Sequence, residues 1–145
     1  MNESPKLPRR PLVLDAFAII ALAQEEPAAI EVEELLEHCR RGELDLFMTV
    51  VNLGEVSYRI ERRLGGMAAA EALGKVTNAN VTLVDVDQAL ALEAAWIKAG
   101  TGMGYLDCFP AALAERLDAA VVTGDRGFAV MDRRIDLYWL PEAGR

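Results

Sequence analysis

The chain has 145 residues, which fits a single domain over 1–145 that buries a real core without disulfide or metal staples. Hydrophobic residues make up 52% of it and leave apolar surface for a subunit or partner interface, while a net charge of −8 argues against binding polyphosphate through a broad basic surface. A nucleic-acid partner therefore needs local help from divalent cations and a small arginine cluster.

Met1 to Pro11 carries three prolines and three basic residues without the apolar segment of a signal peptide, so residues 1–10 read as a flexible arm. Leu12-Val13-Leu14 is a short apolar strand ending at Asp15, and Ala16 to Gln24 has helical composition. Ala16 to Ala23, the longest apolar stretch, is too short to cross a bilayer, which points to a cytoplasmic protein with no membrane partner. After Glu26-Pro27 a second helix runs from Ala28 to Arg41, with Ile30, Val32, Leu35, Leu36 and Cys39 as its apolar positions and Gly42 as its C-cap.

Leu44 to Val51 is β-rich and predicts the second strand. From Asn52 to Leu64 a buried stripe of Leu53, Val56, Ile60 and Leu64 leaves Asn52, Glu55, Arg59 and Arg62 away from it, so Glu55 faces a cleft or solvent. Gly65-Gly66 breaks that helix, and Met67 to Val76 forms the second arm of a helical hairpin. Val81 to Val86 is the third strand, Asp87 caps the helix Gln88 to Ala99, and Gly100 to Gly104 makes a glycine-rich, mobile connection. Tyr105 to Leu117 forms a helix with Pro110 in or near its first turn, which puts Asp107 near the amino end. Ala119 to Thr123 is a continuous apolar strand, and Leu137 to Leu140 is the last of about five. This alternation predicts a mostly parallel central sheet covered by helices on both faces, joined by right-handed crossovers.

Four acids, Asp15, Glu55, Asp107 and Asp125, each fall just after a strand or in the first turns of the following helix. Residues at the carboxyl ends of parallel strands converge however far apart they lie in sequence. Asp15 is the hardest to explain otherwise, since it sits between two apolar runs where a carboxylate has little local support. Carboxylates gathered in one crevice repel unless a cation neutralises them, and an all-oxygen set without Cys or His favours Mg²⁺ or Mn²⁺. Such an ion activates water and holds a phosphate, so phosphodiester hydrolysis is the natural reaction.

Val13-Leu14-Asp15, Asn52-Leu53-Gly54-Glu55, Tyr105-Leu106-Asp107 and Val122-Thr123-Gly124-Asp125-Arg126-Gly127-Phe128, in this order and spacing, resemble the PIN domain, especially VapC-type toxins of toxin-antitoxin pairs. The resemblance covers nearly the whole chain. It implies a three-layer α/β/α sandwich, a Mg²⁺- or Mn²⁺-dependent endoribonuclease acting on RNA, a homodimer and a cognate antitoxin. By position Asp15, Asp107 and Asp125 match metal ligands, Glu55 a ligand or water-orienting base, and Asn52 and Thr123 supporting groups. Two departures stand out. Phe17 occupies the place of a Ser or Thr whose hydroxyl would help order the metal shell, and Gly127 stands where many relatives carry a polar or acidic residue. The alternative reading, motivated by Phe17 and the acidic surface, is a catalytically impaired PIN-like module that binds protein or RNA.

Arg59, Arg62 and Arg63 either steer RNA phosphates, receive an acidic antitoxin segment, or form a solvated face with Glu61. Arg126 is read first as a turn-exposed side chain and second as a phosphate contact. Trp96 and Trp139 are assigned to core or dimer packing, Cys39 and Cys108 to buried structural roles, His38 to a helix end, and Asp85 to the surface.

Overall fold

The structure, a computed structural model, describes residues 10–144, so the expected amino-terminal arm lies outside the described residues except for Arg10. Five strands, β1 (Leu12–Leu14), β2 (Leu46–Thr49), β3 (Thr82–Val84), β4 (Ala120–Thr123) and β5 (Asp136–Trp139), form one sheet in the order β3-β2-β1-β4-β5, with every pairing parallel. Six helices intervene: α1 (Ala16–Ala23), α2 (Ala29–Arg40), α3 (Val50–Leu64), α4 (Gly66–Asn78), α5 (Gln88–Thr101) and α6 (Tyr105–Leu117). A short 3-10 segment, Arg126–Met131, joins β4 to β5.

Alternate residues of each strand point to opposite faces, and both faces are covered. Leu12, Leu14, Leu46, Met48 and Val122 belong to a core built with α1 to α4, whereas Val13 and Val121 pack with α5, α6 and the 3-10 segment through Leu90, Ile97, Phe109, Leu113, Phe128 and Met131. The result is the expected α/β/α sandwich. Crossovers of one hand require it: those running outward from β1 to β2 and β3 lie on one face, and those returning to β4 and β5 lie on the other. No described helix is long and apolar enough to cross a membrane.

Several local expectations are corrected by tertiary context. The second strand ends at Thr49, and Val50 and Val51 open α3 instead of extending β2. The Thr49 hydroxyl accepts from the amide of Asn52 at 3.1 Å and donates to the Asn52 side-chain oxygen at 2.5 Å, so an N-cap overrides the β-propensity of the two valines. The third strand is shorter than Val81 to Val86, and α5 extends through Thr101 until Gly102, at φ +73°, ends it, leaving only Gly102 to Gly104 as connection. Ile30 and Leu64 lie exposed rather than in their apolar stripes, and Asn52, expected away from the core, is fully buried.

Pro110 is the sixth residue of α6, deeper than expected. It has no N–H to give the carbonyl of Leu106, which a regular helix would pair with it. The Asn52 amide group donates to that carbonyl at 3.0 Å instead. A bond missing within α6 thus becomes a bond between α3 and α6.

Cys39 and Cys108 are buried as expected, and Asp87 caps α5 by accepting from the amide of Leu90 at 2.8 Å. Asp85 is exposed. Trp96 is not a core residue: it is 69% exposed on α5. Replacing Thr49 with Val keeps its shape but removes both hydroxyl bonds at a buried cap, and a loss of about 1–3 kcal/mol in urea unfolding is expected with the denaturant slope unchanged.

Candidate active site

The order β3-β2-β1-β4-β5 reverses direction between β1 and β4. The connection leaving β1 goes to one face and the connection leaving β4 goes to the other, which opens a crevice at the carboxyl ends of these two neighbours. A cleft of about 500 Å³ lies there, lined by Asp15, Phe17, Glu55, Arg59, Asp107 and Asp125 among others. A second cleft of about 500 Å³ sits at the opposite ends of the strands, where ion pairs join Arg10 to Asp136 and Arg134 to Glu115.

Asp15 leaves β1 at the N-cap of α1, yet its carboxylate makes no capping bond and is only 3% exposed. One oxygen accepts from the Thr123 hydroxyl at 2.7 Å, while Oδ1 is buried with no hydrogen-bond partner among the described residues. Burial pushes the carboxyl well above the usual carboxylate range. The Thr123 bond opposes that rise, Asp107 and Glu55 add to it, and the amide of Ala18 tempers it without reaching normal hydrogen-bond geometry. The Thr123 hydroxyl also accepts from the amide of Asp125 at 3.0 Å, which fixes the turn after β4 against the end of β1. Asp125 itself caps the 3-10 segment by accepting from the amide of Gly127 at 2.8 Å.

Glu55 is 7% exposed and belongs to a run along α3. The Asn52 amide group donates to Glu55 Oε1 at 3.4 Å, and Arg59 reaches Glu55 Oε2 at 3.3 Å. Because the same Asn52 group also holds Leu106, one side chain sets the position of Glu55 and of the helix turn carrying Asp107. Burial, followed by repulsion from Asp125 and Glu55, pushes the Asp107 carboxyl up to about 6, with Arg59 opposing.

Four carboxylates thus share a crevice in which two are biased toward the uncharged form. No three His, Cys, Asp or Glu side chains among the described residues converge closely enough to cage an ion by themselves. The crevice offers oxygen donors without Cys or His, a set that suits Mg²⁺ or Mn²⁺, which take one or two carboxylates and retain water, better than zinc. The orphaned Asp15 oxygen has no partner that a cation would have to displace.

The PIN domain family model matches residues 12–134. The chain belongs to the PIN domain family. Among solved structures, a PIN fold of this kind is found in VapC20 of Mycobacterium tuberculosis, described as a Sarcin-Ricin loop cleaving toxin, at 17% identity and a TM-score of 0.66 over 81% of this chain and 92% of that one. DNA-bound VapBC from Salmonella typhimurium matches at 18% identity and a TM-score of 0.65 over 89% and 97% of the two chains. VapBC-5 of Mycobacterium tuberculosis matches at 22% identity and a TM-score of 0.60 over 92% and 99%. These likenesses concern the fold. Among curated proteins no sequence matches.

Of the residues singled out in the sequence, the PIN crevice brings together Asp15, Glu55, Asp107, Asp125, Arg59, Arg63 and Arg126, with Asn52 and Thr123 buried behind them. Arg62 does not line the cleft; it lies over the ring of Tyr58, 5.4 Å from its centre. Arg126 is less free than a turn residue: it pairs with Glu142 at 2.9 Å and lies 4.5 Å from the ring centre of Trp139. The contribution of Glu142 had no local signal, since the segment after β5 reaches the cleft only by tertiary folding. The link from Pro110 to Asn52 did have one, in the proline placed inside a helix.

Asp107 and Asp15 are harder to ionise folded than unfolded, so metal-free protein holds their full contribution below about pH 4 and loses it as pH rises through about 6 and beyond. Thermal melts in EDTA should accordingly fall from pH 5 to pH 7.5. Mn²⁺ at a fixed concentration of about 100 times its Kd at pH 7.5 should restore about 2.7 kcal/mol there, and less at pH 5, where protons compete for the carboxylates.

Proposed function

We propose that this PIN domain is a divalent-metal-dependent endoribonuclease that hydrolyses RNA phosphodiester bonds, acting in the cytoplasm as the toxin of a VapBC-type toxin-antitoxin pair. In this reading Asp15, Asp107 and Asp125 are ligands for Mg²⁺ or Mn²⁺, and Glu55 is a further ligand or the base that orients the attacking water. The observation that carries it is Asp15, a carboxylate buried at the switch point of the sheet with one oxygen on Thr123 and the other without a partner. Nothing in folding favours such a group, whereas a cation does.

When bound, the ion neutralises the carboxylates and activates water for attack at phosphorus. The protein's own residues do the rest. Thr123 fixes the Asp15 carboxylate through one oxygen, Asn52 aims Glu55 into the cleft, and Arg59 and Arg126 offer charge to phosphate oxygens at its rim. The hydroxyl absent at Phe17 does not leave Asp15 unsupported, because Thr123 supplies one from β4. This weakens the alternative of a binding module without chemistry.

The similar structures include a toxin and VapBC complexes, which supports an antitoxin partner here. Leu92 and Trp96, four residues apart on one face of α5, are exposed and supply apolar surface for an antitoxin or for a homodimer.

Asp15→Asn retains an acceptor for Thr123 while removing the charge. It should abolish Mn²⁺-dependent RNA cleavage, read on labelled RNA, and raise the melting temperature of metal-free protein at pH 7.5 because no buried carboxylate remains to ionise. Cleavage at the wild-type rate would sink the assignment. A calorimetric titration of the unaltered chain showing no Mn²⁺ binding at millimolar metal would favour the binding module.

A further inference from the structure

The cleft has two unlike walls. Phe17, Ile20 and Ala21, at three- and four-residue spacing on α1, line one of them with apolar surface. Arg59 and Arg63, one turn apart on α3 beyond Glu55, line the other with positive charge. Arg63 donates to Gln24, the C-cap of α1, at 2.8 Å, which joins the two helices within the cleft lining.

Phe17 is only partly buried, although its neighbours Ala16, Ala18, Ile19 and Ile20 are all buried. Its ring is held in place from below. A β-carbon at Gly124 would lie 2.3 Å from both Cε1 and Cζ of Phe17 and 2.9 Å from the carbonyl oxygen of Pro141. The ring edge therefore rests directly on the backbone between Thr123 and Asp125, in a space that exists only because residue 124 is glycine. An aromatic side chain among carboxylates can neither ligate a cation nor donate a hydrogen bond. What it offers is a partly exposed apolar ring in the same cleft as the acids and as the Arg59 and Arg63 guanidinium groups.

A single-stranded nucleic acid presents these two surfaces in the same order, with bases on one side and phosphates on the other. In a duplex the base faces are already stacked on one another and unavailable. We propose that Phe17 is a stacking platform for one nucleobase of unpaired RNA, seated with its reacting phosphate at the carboxylates and the adjoining phosphates along Arg59 and Arg63. This rests on the ribonuclease reading and adds to it a residue, particular to this chain, that holds an unstacked base beside the reacting phosphate. Stacking is tolerant of base identity, so Phe17 confers affinity for an unstacked base without reading sequence.

The test is a cycle on the full-length chain with two strands, a short single-stranded RNA and an abasic strand of the same length. Binding is measured by fluorescence anisotropy with Ca²⁺ as the divalent ion, and strand integrity is checked afterwards. Phe17→Leu keeps apolar contact with Gly124 but has no π-face, and its melting temperature reports whether the fold is intact. Phe17→Leu and Phe17→Ala should each weaken binding of the base-bearing strand by roughly 5- to 100-fold and change binding of the abasic strand by less than about twofold, and Phe17→Trp should restore the loss. Equal losses on the two strands, no loss in Phe17→Leu, or no binding of RNA by the unaltered chain would each overturn the platform. Cleavage by the unaltered chain in Mn²⁺, read separately, divides the two claims. Coupling without cleavage removes the nuclease reading alone, and cleavage without coupling removes the platform alone.

Discussion

A carboxylate buried at the end of β1 sets the terms for the rest of the site. Asp15 is held where the strand order reverses, with its charge screened by neither solvent nor a basic partner. A structure tolerates this only if the group is neutral, paired or bound to a cation, and the surroundings act on each option. Thr123 satisfies one oxygen, Asp107 and Glu55 make ionisation harder still, and the second oxygen is left without a partner. The fold accepts this at the switch point of the sheet, where the carboxyl ends of β1 and β4 open on a crevice rather than on a covering helix. Core residues on both sheet faces make that acceptable, since the buried Leu12, Leu14, Val13 and Val121 hold β1 and β4 in register whatever the state of Asp15.

The remaining acids are positioned by a chain of hydrogen bonds that begins with a helix cap. Thr49 orients Asn52, which orients Glu55, which meets Arg59. Asn52 is also the point where α3 grips α6, and it can do so because Pro110 leaves the Leu106 carbonyl unpaired. A regular helix at this position would already give that carbonyl a backbone partner. The irregularity in α6 is thus a structural element of the site: it links the turn that bears Asp107 to the helix that bears Glu55.

An acidic protein can still present a favourable surface to phosphate when its few cations are placed with care. Arg59, Arg63 and Arg126 all border the same cleft, whereas charges elsewhere are largely consumed in exposed pairs such as Arg40 with Glu37 and Arg116 with Glu93. Exposed pairs of that kind contribute little to stability, so their value lies in solubility and in leaving the cleft as the place where positive and negative charge meet around an open space. Arg126 is tethered through Glu142 and Trp139 and keeps its position at the rim without a substrate.

Much of this was legible in the chain itself. Short apolar runs separated by helical periodicity, each ending in or near an acid, determined a parallel α/β sandwich and the identity of Asp15, Glu55, Asp107 and Asp125 as the residues of interest, because strand periodicity and helix signals are local and topology then forces strand ends together. Boundaries at Val50, the depth of Pro110 in α6 and the exposure of Ile30, Leu64 and Trp96 were not legible, since each depends on partners distant in sequence. The same holds for the roles of Asn52, Phe17 and Glu142. Asn52 reads as one polar residue on an amphipathic helix until α6 supplies a carbonyl for it, and Phe17 reads as a lost hydroxyl until Gly124 is found beneath its ring. The sequence alone determined which groups could do chemistry, because side-chain type and strand position are written locally. Only the tertiary structure decided which oxygen was left unpaired and which wall of the cleft was apolar, because those follow from contacts between segments separated by up to more than a hundred residues, such as Thr123 with Asp15.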